Sequence, residues 1–274
     1  MGKKLGILVI HGIGSQDDEH FADGMIQEIK DHLKGLGKNT DQIAFQPIYW
    51  ADILIDRQRD YLQRARQQEN LNLMAIRHFV VSVLGDAVAY QRRGKKETST
   101  YTAIHSTVRA AVRTLLTDKL GSEEAPLIVM AHSLGGHIMS NYIWDMQELI
   151  RNNEPLPVDT DFEQFKTLAG IITFGCNIPL FTFTHQNPQP IDFPPDTLSN
   201  DLKSIAKWMN YYDPEDVLAY PLKAISPAYN LDVIEEHEIE VGGFFTSWNP
   251  LSHTKYWTDN SFTKPAARYI ARFL

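Results

Sequence analysis

Leu5 to Ile10 is an unbroken apolar run that stops at His11-Gly12-Ile13-Gly14, a pattern that predicts a buried strand feeding a glycine loop. Apolar residues then recur at Phe21, Met25, Ile29 and Leu33, one stripe of a helix that Gly35 and Gly37 bring to an end. Ile43 to Trp50 follows as a second strand. Strand, helix, strand, with no polar alternation in the strands, predicts a parallel sheet covered by helices. The same reading places strands at Leu127 to Met130, Leu168 to Gly175, Lys207 to Tyr212 and Val233 to Val241. It places one helix at His137 to Leu149 and a terminal helix at Phe262 to Leu274, with Pro265 in its first turn. Asn152 to Asp161 is an acidic loop, and Pro188, Pro190, Pro194 and Pro195 make Phe181 to Asn200 irregular.

Residues 53–117 depart from this rhythm. Asp60 to Asn70 is polar and arginine-rich, and Leu71 to Ala89 is strongly apolar. Arg92, Arg93, Gly94, Lys95 and Lys96 read as an exposed basic loop. Tyr101, Ile104, His105, Val108, Val112 and Leu115 mark another helix face. One crossover helix needs fewer residues, so the segment is expected to be a helical insertion forming a partial cap; a single decorated crossover is the plainer alternative. No repeat or low-complexity linker divides the chain, and one α/β domain over 1–274 is expected.

Composition narrows the functional classes. The chain has 274 residues, 43% of them hydrophobic, and a net charge of -8. That charge disfavours nucleic acid as a partner and offers no attraction to anionic lipid. No segment reaches the length of a transmembrane helix, so no stable membrane insertion is expected. The apolar stretch at the start is too short for the core of a signal peptide, and a cytoplasmic protein is the expectation. The lone cysteine, Cys176, follows an apolar run and reads as a buried thiol.

The most specific chemistry lies in Ala131-His132-Ser133-Leu134-Gly135-Gly136. It joins the strand ending at Met130 to the helix beginning near His137, with a serine at the apex. A sharp strand-to-helix turn of this kind strains the serine backbone and exposes its hydroxyl, and it demands tiny residues two places away on each side. Ala131 and Gly135 meet that demand.

A serine hydroxyl needs a base to take its proton and a third group to orient that base. Asp216, in the turn after the strand Lys207 to Tyr212, is the preferred acid. Asp213 is its close rival and Glu215 a weaker one; one of these carboxylates can instead tie down the turn by accepting backbone N–H bonds. His253, in the loop before the final helix, is the preferred base. His237 reads as a strand residue, His185 and His105 fall outside the expected chain order, and the His132 side chain is expected to point away from the serine hydroxyl. An oxyanion would be held by the backbone N–H of Leu134 at the start of the helix and by that of Ile13, with Gly12 next in line. A glycine loop for phosphate is disfavoured, because the spacing matches no such pattern. No ligand spacing for a metal is present, and no cofactor is expected.

On these residues the chain resembles the α/β-hydrolase superfamily of serine lipases and esterases. The resemblance runs through Val9 to Gly14, Met130 to Gly136 and the segments that carry Asp216 and His253. Locally it is similar to the DDHD-type intracellular phospholipases, at Gly85 to Tyr90, Phe174 to Phe181, Asp213 to Tyr220 and Ser252 to Trp257. Ala131 departs from the glycine usual at the first elbow position. The resemblance implies Asp216 as the acid, His253 as the base, and an ester hydrolase acting on a small-molecule or lipid ester through an acyl-enzyme. An acyltransferase or thioesterase on the same residues, and a non-catalytic lipid-binding or interaction module, are the competing readings. The apolar stripe Leu71 to Val88 and the rings of Phe181, Phe183, Phe244, Phe245 and Trp248 are candidates to line an acyl pocket, or else to pack the core.

Overall fold

The structure, a computed structural model, describes residues 3–12, 20–54, 60–64, 85, 86, 88–90, 92, 93, 96, 97, 99–242 and 252–274. Strands β1 (Leu5–Ile10), β2 (Ile43–Ile48), β5 (Leu127–His132), β6 (Leu168–Phe174), β7 (Lys207–Tyr212) and β8 (Ile234–Glu238) form one six-stranded sheet in the order β2-β1-β5-β6-β7-β8. Every neighbouring pair is parallel. This is an α/β fold. The apolar runs in β1 and β5 are unbroken because both faces of the sheet are covered. Leu8, Ile10, Leu127, Val129 and Ala131 belong to one buried cluster, and Leu5, Ile7, Val9, Ile128 and Met130 to the other. Successive side chains of a strand point to opposite faces, so each run serves two cores.

Helices α1 (Asp23–Gly35) and α6 (Asn260–Ile270) pack together in the second core, through Met25, Ile29 and Leu33 of α1 and Phe262, Ala266 and Ile270 of α6. Helices α2 (Ser99–Thr114) and α3 (Leu134–Arg151) supply the first, through Ile104, Val108 and Val112 of α2 and Ile138, Tyr142 and Met146 of α3. Two short helices, α4 (Ile178–Thr182) and α5 (Asn200–Ile205), bracket the irregular proline-rich stretch.

Several expectations change in detail. The basic segment is not a plain loop: β3 (Arg92–Arg93) and β4 (Lys96–Glu97) pair antiparallel, Arg92 opposite Glu97. A glycine followed by one residue between the two strands is a hairpin signal that charge counting hides. Residues 99–114, placed in the insertion, form α2 and belong to the layer covering the sheet, followed by a π-type turn over Leu115–Leu120 that closes at Gly121. Much of the remaining stretch to residue 98, including Leu71 to Leu84, lies outside the described residues. Pro265 is inside α6 rather than in its first turn, because the helix starts earlier, where the Asp259 carboxylate caps it by accepting the Ser261 N–H at 2.8 Å. Among the described residues no helix is long and apolar enough to cross a membrane.

The sheet order dictates where a site can form. β2 lies to one side of β1, and the chain then crosses to β5 on the other side and runs outward through β6, β7 and β8. Strand order reverses between β1 and β5, and their carboxyl ends border the crevice where such sheets carry ligands.

Candidate active site

Ser133 sits in that crevice, between the end of β5 and the first residue of α3. Its backbone has φ 52° and ψ -125°, a conformation unfavourable for a residue with a side chain. The surrounding contacts hold it there. The Ser133 N–H donates to the Phe174 carbonyl at the end of β6, at 3.1 Å, and its own carbonyl accepts the Gly136 N–H at 3.0 Å. A Cβ on Gly135 would lie 2.6 Å from the His11 carbonyl oxygen, which is why the residue two places after the serine has no side chain. Gly12, beyond the end of β1, approaches just as closely: a Cβ there would overlap the Ser133 Cβ and lie 2.8 Å from the His132 carbonyl.

His11, the first residue after β1, is held by Trp50. The His11 ring stacks on Trp50 at 5.1 Å between centroids, with 3° between the planes. The Trp50 backbone N–H donates to His11 Nε2 at 3.2 Å, and the Trp50 indole N–H donates to the His11 carbonyl at 3.0 Å. His11 Nδ1–H donates in turn to the Gly12 carbonyl at 2.8 Å. These partners suit one neutral tautomer, and burial lowers the His11 pKa to about 4. Ile13, the preferred second oxyanion donor, lies outside the described residues. Leu134, the other, is the first residue of α3, where helix geometry leaves the N–H without an intrahelical acceptor.

The structure brings Ser133, His253 and Asp216 together. His253 lies in the short turn Ser252–Thr258 that leads into α6. Its Nε2 is 2.7 Å from Ser133 Oγ, and its Nδ1 is 2.7 Å from Asp216 Oδ2. All three residues are buried. A carboxylate only accepts, so Nδ1 carries the proton and Nε2 receives the serine O–H. The turn after β7 presents the acid: the Asp216 N–H donates to the Asp213 carbonyl at 3.0 Å, and Asp216 Oδ1 accepts the Leu218 N–H at 3.0 Å.

The rival carboxylates take other work. Asp213 Oδ1 accepts the Glu215 N–H and Oδ2 the Val241 N–H, each at 2.8 Å, so it ties the β7 turn to the chain leaving β8. Glu215 is exposed. His237 stacks on Tyr211 in β8, His185 is exposed, and His105 is bonded to Tyr90 at 2.7 Å on α2. None of the three touches Ser133.

Further residues surround the three. His132 makes no hydrogen bond to the serine hydroxyl and packs behind His253: its Nε2–H donates to the His253 carbonyl at 2.8 Å, and the two rings lie 4.8 Å apart. Burial, then the nearby His253, lowers its pKa well below the usual range, so it is neutral. Tyr256, fully buried, accepts the Asp213 N–H at 2.9 Å and donates to Asp216 Oδ2 at 3.1 Å. Asn210 and Glu236 anchor the acid's loop from below. Asn210 Nδ2 donates to Glu236 Oε2 at 2.7 Å and to the Tyr220 carbonyl at 3.1 Å, while Glu236 Oε1 accepts the N–H groups of Leu222 and Lys223 at 2.6 and 2.8 Å.

Of the candidate acyl-pocket rings, Phe181 stacks on His137 at 4.0 Å, and Phe183 is 79% exposed and so lines no buried pocket. Phe244, Phe245 and Trp248 lie outside the described residues. Cys176 is buried and its thiol pKa is pushed up to about 12 by that burial, which leaves it un-ionised. Among the described residues, no group of three or more His, Cys, Asp or Glu side chains is placed to hold a metal ion.

A hydroxyl aligned on an imidazole, itself aligned on a carboxylate, can deliver an oxygen nucleophile and return a proton to a leaving group. A scan against models of known protein families finds no match, and a search of curated proteins finds no significant one.

Proposed function

We propose that the protein is a serine hydrolase of carboxylic esters, built on an α/β-hydrolase arrangement. The reading is carried by one observation: the strained serine at the switch point of the sheet lies 2.7 Å from an imidazole nitrogen whose other nitrogen lies 2.7 Å from a buried carboxylate. The order of the three along the chain, Ser133, Asp216, His253, agrees with that fold.

In this mechanism Ser133 Oγ attacks the acyl carbonyl while His253 Nε2 takes the hydroxyl proton. The Asp216 carboxylate holds the imidazole in the accepting tautomer and stabilises the cation that forms. The Leu134 N–H at the start of α3 receives the negative charge that develops on the carbonyl oxygen. Collapse expels the alcohol, which takes the proton from His253, and leaves Ser133 acylated. Water, deprotonated by the same imidazole, releases the carboxylic acid and restores the serine. The neutral His132 behind His253 suits this cycle, since a second cation there would oppose protonation of the base.

A lipid ester is the substrate class that the local likeness to DDHD-type phospholipases favours. The test has two parts. A fluorophosphonate probe is expected to label the wild-type protein at Ser133 and to leave Ser133→Ala unlabelled; labelling of the variant at another residue refutes the assignment. In a p-nitrophenyl ester series, turnover is expected to rise beyond the acetyl ester, and a preference for acetyl counts against lipid.

A further inference from the structure

We infer that Tyr256 is a positioning residue that sets the working pH of the base by sharing the carboxylate of Asp216 with His253; this deepens the proposed serine hydrolase and rests on it. Asp216 Oδ2 receives two donors, His253 Nδ1–H at 2.7 Å and the Tyr256 hydroxyl at 3.1 Å, while Oδ1 takes the Leu218 N–H at 3.0 Å. The phenol points one way only: its oxygen already accepts the Asp213 N–H at 2.9 Å, so its proton is directed at the carboxylate. Tyr256 is fully buried, and water does not compete for this bond. Burial and the Asp216 charge both raise the phenol's pKa, so it remains a donor across the range in which the base titrates.

The electrostatic consequence follows from the sharing. A hydrogen bond to Oδ2 draws off part of the negative charge that would stabilise the imidazolium of His253. The other titratable groups around the pair leave room for this effect. His132, 4.8 Å from His253 between ring centroids, is neutral. The Asp213 carboxylate is occupied by the Glu215 and Val241 amides. Ser133 presents only its hydroxyl. Tyr256 is therefore the group whose removal changes the charge felt by the base without removing any member of the catalytic set.

The test is the pH dependence of fluorophosphonate labelling at Ser133. In Tyr256→Phe the acidic midpoint is expected to rise by about half to one pH unit, since more of the carboxylate charge is left to the imidazolium. That variant also deprives the Asp213 N–H of its acceptor, so a second protein carries 3-fluorotyrosine at position 256. It keeps the acceptor, and its more acidic phenol is a stronger donor, so its midpoint is expected to fall. Shifts of opposite sign support the inference. Midpoints that do not move, or that move the same way, overturn it and leave Tyr256 a packing residue, whatever happens to thermal stability. The downfield imidazole N–H resonance of His253, assigned by its loss in His253→Gln, gives the same midpoints without any reaction. If the wild type does not label but these midpoints still diverge, the hydrolase assignment fails while the Tyr256 coupling stands.

Discussion

Asp213 and Asp216 sit three residues apart in one turn, both buried, and replacing each by asparagine is expected to damage different properties. Asp216 Oδ2 faces two donors, His253 Nδ1–H and the Tyr256 hydroxyl, and Oδ1 faces a third, the Leu218 N–H. An amide nitrogen at Oδ2 forces the imidazole into the tautomer whose Nε2 carries the proton, and Ser133 then has no base. An amide turned the other way sets its nitrogen against the Leu218 N–H. In the proposed hydrolase, the loss of the correct tautomer is expected to cost about four orders of magnitude in rate, or about 5.5 kcal/mol of barrier.

Asp213 serves two backbone donors at 2.8 Å, from Glu215 and Val241. Its amide can accept from only one of them and opposes the other, a cost of about 1–3 kcal/mol in stability. That corresponds to a fall in melting temperature of about 2–10 °C in a protein of this size class. The rate of ester turnover per folded molecule is expected to stay within about tenfold of wild type, since Asp216, the acceptor of the imidazole Nδ1–H, is unchanged. Turnover of a p-nitrophenyl ester and a thermal melt, run on both variants below the melting range, separate the two effects. If Asp213→Asn loses as much rate as Asp216→Asn while both remain folded, the division of labour between the two carboxylates is wrong.

Three further outcomes test other parts of the structure. Gly12→Ala is expected to lower Ser133 labelling at least tenfold and to cost about 1–3 kcal/mol in urea denaturation, because its Cβ overlaps the serine and the two loops must part; wild-type labelling shows that the loops do not meet as described. His11, neutral and buried with a pKa lowered from 6.5 to about 4, makes stability fall as the solution is acidified through that interval, because the unfolded chain takes up a proton the native state refuses. The contribution is whole above pH 6.5 and is lost by pH 4, up to about 3 kcal/mol; His11→Asn is expected to flatten the slope of urea midpoint against pH, and an unchanged slope contradicts the assignment. Cys176, with its thiol pKa near 12, is expected to resist iodoacetamide at neutral pH until the protein is unfolded, and rapid alkylation of the native protein refutes its burial.

What could be read from the residues alone follows a physical rule. β1, β5 and β6 are legible because a strand covered on both faces shows an unbroken apolar run, and the turns that follow them contain glycine. Arg92 to Glu97 hid a hairpin, since charged residues on a two-stranded pair leave no apolar alternation to read. The apolar stripe predicts the start of α6 too late, because the cap at Asp259 precedes its first apolar position. Ser133, Asp216 and His253 were findable because each lies in a separate turn at the carboxyl edge of the sheet, in an order that limits the candidates. Along the chain, Asp216 is preferred to Asp213 by its place in the turn and by the family resemblance. In three dimensions it rests on what each carboxylate faces: backbone amides for one, an imidazole for the other.

The supporting residues were invisible for a different reason, and Glu236 shows it best. In Ile234-Glu235-Glu236-His237-Glu238 it is one of three acidic residues in a short strand, and nothing in the segment sets it apart from the others. Its carboxylate instead spans Asn210 of β7 and the amides of Leu222 and Lys223, which fixes the far end of the loop whose near end is held by Asp213. Asp216 is thus suspended between two acidic side chains, each saturated by neutral donors. Neither needs a cation, and so neither competes for the charge of His253 when it forms. Only the pairing of β7 with β8 sets Asn210 opposite Glu236, and no window along the chain contains both partners. The carboxylate that meets the base is therefore chosen by how fully its neighbours have been satisfied elsewhere.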